Sequence, residues 1–153
     1  AQIRAGAQAV QIFDTWGGLL APHDYQRYIL PYVKDLINGL NRDGIPVIYF
    51  VKNGGTMLEL VKEAGADVLG LDWHVNLGKA RDIIGPDIAV QGNLDPTVLY
   101  APKDHIEREV QRILDENAGR PGFIFNLGHG ILPTVPPENA IHMVECVHRL
   151  SGK

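Results

Sequence analysis

Apolar residues along this chain alternate between short runs and longer stretches at helical spacing, the pattern that a repeated strand-then-helix unit leaves in sequence. Five such pairs are predicted. The strands are Ala9–Phe13, Pro46–Val51, Val68–Leu71, Ile88–Gln91 and Gly122–Asn126, each rich in Val, Ile, Leu or Phe. They read as apolar on both faces, as strands of a buried parallel sheet do.

The helical stretches lie between them. In His23–Arg42, Tyr25, Tyr28, Ile29, Tyr32, Val33, Leu36, Ile37 and Leu40 fall at helical spacing, and Pro31 is expected to kink or restart the helix because its ring excludes a backbone hydrogen bond. Thr56–Ala64 stops at Gly65 and Leu77–Ile84 at Gly85, glycine being a common helix terminator. Lys103–Asn117 is the clearest amphipathic helix, with Ile106, Val110, Ile113 and Leu114 as its stripe. Pro137–Leu150 opens on prolines, where a helix tolerates them.

Five consecutive βα units joined by short connections imply a parallel sheet, through the right-handed crossover rule. An open doubly wound sheet would be complete with five strands, whereas a (β/α)8 barrel would lack three units. Two features favour the barrel. No G-x-G-x-x-G follows the first strand, where Phe13-Asp14-Thr15-Trp16-Gly17-Gly18 stands instead. The polar residues gather after the strands, as Asp14-Thr15, Lys52-Asn53, Asp72, Gln91-Asn93-Asp95 and Asn126-His129, the end from which barrel enzymes build their sites.

Composition narrows the class without changing the fold. At 45% hydrophobic and 21% charged, the 153 residues are ordinary for a globular domain. A net charge of -4 and a pI near 5.8 argue against nucleic acid or an anionic membrane as partner. No apolar run approaches the roughly 20 residues of a membrane span. The single cysteine, Cys146, excludes an intrachain disulfide and any multi-cysteine metal site, and points to a reducing, cytoplasmic setting. The chain starts without Met on what reads as mid-helix sequence, so a preceding segment is expected.

Candidate chemistry lies at the strand ends. Gly128 and Gly130 flank His129, leaving its imidazole unobstructed; a histidine serving only its own turn is the other reading. Asp14 and Thr15 offer a carboxylate and a hydroxyl, and either residue type also caps turns. Asp72 reads equally as a catalyst and as an acceptor for neighbouring loops. Gln91-Gly92-Asn93-Leu94-Asp95-Pro96 suits an architectural turn, and Lys52-Asn53-Gly54-Gly55 offers backbone N–H groups as a seat for a carboxylate. His74, next to Trp73, is a reserve candidate; Tyr25, Tyr28 and Tyr32 read as packing residues.

Taken together, Gly6-Ala7-Gln8-Ala9-Val10-Gln11-Ile12-Phe13-Asp14, Gly70-Leu71-Asp72-Trp73, Gln91–Pro96 and Asn126-Leu127-Gly128-His129-Gly130 resemble, in order and spacing, the uroporphyrinogen decarboxylase family. That resemblance implies an α/β fold comprising the C-terminal five βα units of a (β/α)8 TIM-type barrel, a partial domain over 1–153. It implies a carboxy-lyase acting on the tetrapyrrole uroporphyrinogen without cofactor or metal, in haem biosynthesis. By the same resemblance, Phe13 and Thr15 stand at the substrate cleft, Thr15 where serine is more usual, and His129 close to the tetrapyrrole, so that Thr15 and His129 are the expected catalytic pair. The family's Arg-rich segment, its pyrrole-binding aspartate and a substrate-contacting tyrosine have no match here, so this chain alone is expected to be inactive. Raw sheet edges imply association with a second copy or with the missing part.

Two rivals make distinct predictions. A zinc-dependent cobalamin methyltransferase of similar fold would need cysteine ligands after the strands, where this chain has Phe50-Val51-Lys52-Asn53 and His129 without a nearby cysteine. A noncatalytic α/β binding module would be a stable monomer with an open sheet.

Overall fold

The computed structural model describes residues 1–152. Strands β1 (Val10–Asp14), β2 (Val47–Val51), β3 (Val68–Gly70), β4 (Ala89–Leu94) and β5 (Phe123–Leu127) lie side by side in chain order, every neighbouring pair parallel. All five overlap their expected ranges. β4 runs on to Leu94 because Asn93 and Leu94 pair with Asn126 and Leu127.

The helices are α1 (Pro22–Tyr28), α2 (Leu30–Asn38), α3 (Leu58–Val61), α4 (Leu77–Ile84), α5 (Lys103–Asn117) and α6 (Pro137–Leu150). The last three match expectation residue for residue. Pro31 restarts its helix rather than kinking it: the break falls at Ile29, and Pro31 sits in the first turn of α2, where a missing N–H is harmless. The expected Thr56–Ala64 helix is corrected to one short α-helical turn, Leu58–Val61, between 3-10 turns at Gly54–Met57 and Lys62–Ala64. Asn53 enters left-handed (φ 58°) and Gly54 and Gly55 press against Val51 and Val75, which favours the tighter winding.

Side chains of a strand alternate between two faces, and here the two faces differ. Val47, Tyr49, Val51, Leu69, Leu71, Val90 and Leu94 join residues from all six helices in one core. Every helix therefore packs on the same side of the sheet. Ile48, Phe50 and Val68, one step out of phase, lie outside that core on the opposite face. A doubly wound sheet would carry helices on both sides.

The free face is curled. Gln91 of β4 donates from Nε2 to Oε1 of Gln11 on β1, at 3.3 Å. With strands about 4.8 Å apart, a flat sheet would hold β1 and β4 about 14 Å from each other. The two amides meet only because the sheet bends into an arc, as barrel staves do. Central strands β2 and β3 are buried throughout. The expectation of burial on both faces fails for the outer strands, where Phe13 is 68% and Ile124 44% exposed, because no strand lies beyond them to complete the curve.

Candidate active site

The loops at the carboxyl ends of the strands interlock through two carboxylates, the half-buried Asp14 and the buried Asp72. Asp14, ending β1, accepts at Oδ1 from the Gly17 backbone N–H at 2.6 Å and the Trp16 N–H at 3.2 Å. Its Oδ2 accepts from the Tyr49 hydroxyl at 3.1 Å, and the Tyr49 and Tyr25 hydroxyls meet at 2.9 Å. Both phenols are fully buried. Burial pushes the Tyr25 hydroxyl up to about 12, with Asp14 adding to the rise, and raises Tyr49 as well. Asp14 thus holds its own turn, as the capping reading requires.

That turn also explains its glycine pair. A Cβ on Gly17 would strike the Asp14 carboxylate, and one on Gly18 the Lys52 carbonyl. Only glycine lets the β1 loop pass between them.

Asp72 follows β3, is 3% exposed, and has the same kind of task. It accepts from the Asn53 backbone N–H, from the His74 N–H at 2.9 Å, and stands 3.2 Å from His74 Nδ1. The carboxylate seat expected in the Lys52–Gly55 loop is therefore taken by the protein's own Asp72. Asp95 caps the 3-10 turn Pro96–Tyr100, accepting from the Thr97 N–H and hydroxyl at 2.8 Å each. Asn93 donates to the Val75 carbonyl at 2.7 Å and to the Asp72 carbonyl at 3.3 Å, while its buried Oδ1 has no partner. These residues build the rim and leave few groups free on it.

Among the described residues, the side chains of His129 and Thr15 have no hydrogen-bond partner. Gly128 is pressed against the backbone at Asp72 and Trp73 and donates to the Leu94 carbonyl at 2.7 Å, which anchors the β5 loop; Gly130 has open space around it. His129 is exposed and its ring meets Phe50 edge to face at a centroid separation of 6.0 Å. Phe50 meets Phe13 likewise at 6.2 Å. An imidazole from the β5 loop is thereby linked to β1, four strands away in the sheet. Thr15, half-buried and two residues beyond Phe13, has no side-chain hydrogen bond among the described residues. The structure thus brings Phe13, Thr15 and His129 to one rim.

Phe50 is the member that sequence reasoning missed. All five residues of β2 are apolar, so its alternation carries no signal of which ones face inward. His74, the reserve candidate, stacks on Trp73 at 4.8 Å. Among the described residues, the His, Cys, Asp and Glu groups that converge closely enough to share an ion are Glu107, His142 and Cys146, on the outer helices rather than at this rim.

One-sided helices, an arc of parallel strands and a rim of loops at their carboxyl ends define part of a (β/α) barrel. Residues 1–150 match the family model described as uroporphyrinogen decarboxylase (URO-D), and the chain belongs to that family. It is 78% identical over 153 residues to proteins called uroporphyrinogen decarboxylase from Geobacter metallireducens and Geobacter sulfurreducens, covering 100% of this chain and 45% of each relative. A relative of the same description from Trichlorobacter lovleyi is 74% identical over the same span. The chain spans under half the length of these relatives, corresponding to their C-terminal portion. Among solved structures, a methyltransferase from Methanosarcina mazei superposes with a TM-score of 0.83 at 22% identity, over 96% of this chain and 43% of that one, a likeness of fold. No helix among the described residues is long and apolar enough to cross a membrane.

Proposed function

We propose that this chain forms one side of a uroporphyrinogen decarboxylase cleft, where acetate carboxyl groups of uroporphyrinogen are removed to give coproporphyrinogen in haem biosynthesis. The observation that carries the reading is the file of Phe13, Phe50 and His129 along the strand ends, with the unengaged Thr15 hydroxyl on the same rim. The exposed Phe13 ring, backed by the buried Phe50 ring, offers an apolar wall to a macrocycle. The Thr15 hydroxyl and the His129 imidazole offer hydrogen bonds to its carboxylates.

Loss of carbon dioxide leaves an electron pair on the side-chain carbon. Prior protonation of the pyrrole gives that pair a sink, and a carboxylate steadies the resulting cation. Asp14, Asp72 and Asp95 are each engaged in holding a loop. The steadying carboxylate, and most of the cations that clamp a polycarboxylate substrate, therefore come from polypeptide outside this chain. On this reading the chain alone is inactive in the cytoplasm, and its open face is covered by the remaining barrel units or by a second copy.

The test is reconstitution. The chain, alone and combined with the segment that completes the relatives' length, is supplied with uroporphyrinogen, and coproporphyrinogen formation is measured. The expected result is no turnover alone, turnover in combination, and a loss of at least about tenfold in kcat/KM for His129→Ala, the worth of one hydrogen bond to a charged group. A combined, folded protein that His129→Ala leaves unchanged would overturn the role given to His129. Tight porphyrinogen binding by a stable monomer of the chain alone would favour a binding module instead.

A further inference from the structure

In the outer helix layer, we propose that the seam between α5 and α6 is a binding site for a zinc-class divalent ion, held by Glu107, His142 and Cys146. His142 and Cys146 are four residues apart on α6, so their side chains lie one above the other on a single helix face. Glu107 projects from α5 across the seam. The three ligand atoms all lie within 4.8 Å of one another, and Cys146 Sγ stands 3.4 Å from His142 Nε2. A tetrahedral ion with bonds of about 2.0–2.3 Å sets its ligand atoms roughly 3.5 Å apart. The sulfur and nitrogen already keep that separation, and the carboxylate closes on them by a side-chain rotation.

The donor set selects the ion. A thiolate, an imidazole and a carboxylate suit zinc and its neighbours, whereas magnesium and calcium favour oxygen ligands alone. Binding displaces the Cys146 thiol proton to solvent, and the three side chains leave a fourth position to water.

The seam already attracts a cation. The Arg149 guanidinium reaches back from the last turn of α6, with Nη2 3.0 Å from Glu107 Oε2 and 3.5 Å from Cys146 Sγ. Its side chain is half exposed, and ion pairs of that kind are weakly held. Arg149 marks the place as favourable to positive charge and is the group an ion must displace. The place also has mechanical meaning, because Cys146 is the one buried residue described on the 14-residue helix α6. An ion there ties this lightly anchored helix to α5, which buries Ile106, Val110 and Ile113.

The experiment uses the reduced full chain and cobalt(II) as a visible substitute for zinc. Because the chain has one cysteine, a thiolate-to-cobalt charge-transfer band reports this site alone. The expected result is a band saturating at one equivalent and abolished by zinc, with amide exchange in α6 slowed by either ion. His142→Gln and Glu107→Gln should each weaken binding at least about tenfold, while Arg149→Met strengthens it severalfold by removing the competitor. Absence of the band overturns the proposal. So does a band whose affinity the His142 and Glu107 variants leave within about twofold, which would be adventitious binding to the thiol. Both variants are at partly exposed positions, so the result does not depend on whether Cys146→Ser still folds.

Discussion

The two faces of the sheet are built to different rules. Toward the helices, Tyr49, Leu69, Val90 and Leu94 are completely buried in one continuous core. Toward the inside of the arc, Phe13 and Ile124 on the outer strands stay largely exposed, and Gln11 and Gln91 bond across the curve. The first face is finished within this chain; the second is finished only where strands continue. The residues offered for chemistry, Phe13, Thr15 and His129, lie on β1 or in the loops that directly follow β1 and β5, so the unfinished edges and the candidate cleft coincide.

The strongest way to break this contrast is to truncate one residue on each face and compare unfolding in urea. Leu69→Ala should cost about 2–5 kcal/mol, since it empties a fully enclosed position. Phe13→Ala should change stability by less than about 0.5 kcal/mol. Equal losses would mean that the inner face is packed within this chain.

A smaller effect is expected at the rim. Asp72→Ala leaves the Asn53 and His74 N–H groups without their acceptor and should cost about 1–3 kcal/mol. His129→Ala should leave stability within about 0.5 kcal/mol while lowering the activity of the completed enzyme. That pairing separates the residues that build the rim from those that are free on it.

The smallest expected effect is a pH dependence. Burial raises Tyr25 from 10.0 to about 12 and raises Tyr49 too, so above pH 10 the unfolded chain loses phenol protons that the folded one keeps. The contribution of the pair is therefore fully present below 10 and declines as pH rises through that value. Urea midpoints of the natural chain should fall in this range more steeply than those of the Tyr25→Phe, Tyr49→Phe double variant. Parallel slopes would remove the phenols from the account.

How much of this was legible in the sequence follows from the range of each interaction. Helices α4, α5 and α6 were read residue for residue, because their stop signals and apolar stripes are local. The Thr56–Ala64 helix was misjudged because the contacts of Gly54 and Gly55 that tighten it come from Val51 and Val75. Asp14 and Asp72 kept two readings each, because besides their local turn bonds each engages a distant partner, Tyr49 and Asn53, 35 and 19 residues away. Phe50 was invisible inside an all-apolar strand, although the same-parity polar positions Gln91 and Asn93 on β4 already pointed to the inner face. His129 and Thr15 stood out because glycines and polar neighbours surround them, but their shared rim exists only once the sheet curls.

That curl is most directly tested by nuclear Overhauser contacts in solution. If the strands form an arc, the Gln91 side-chain amide gives a contact to Gln11, and ring protons connect Phe13 to Phe50 and Phe50 to His129. A flat sheet would hold β1 and β4 about 14 Å apart and give no Gln11–Gln91 contact, and its absence from an otherwise well-dispersed, folded spectrum would contradict the barrel assignment.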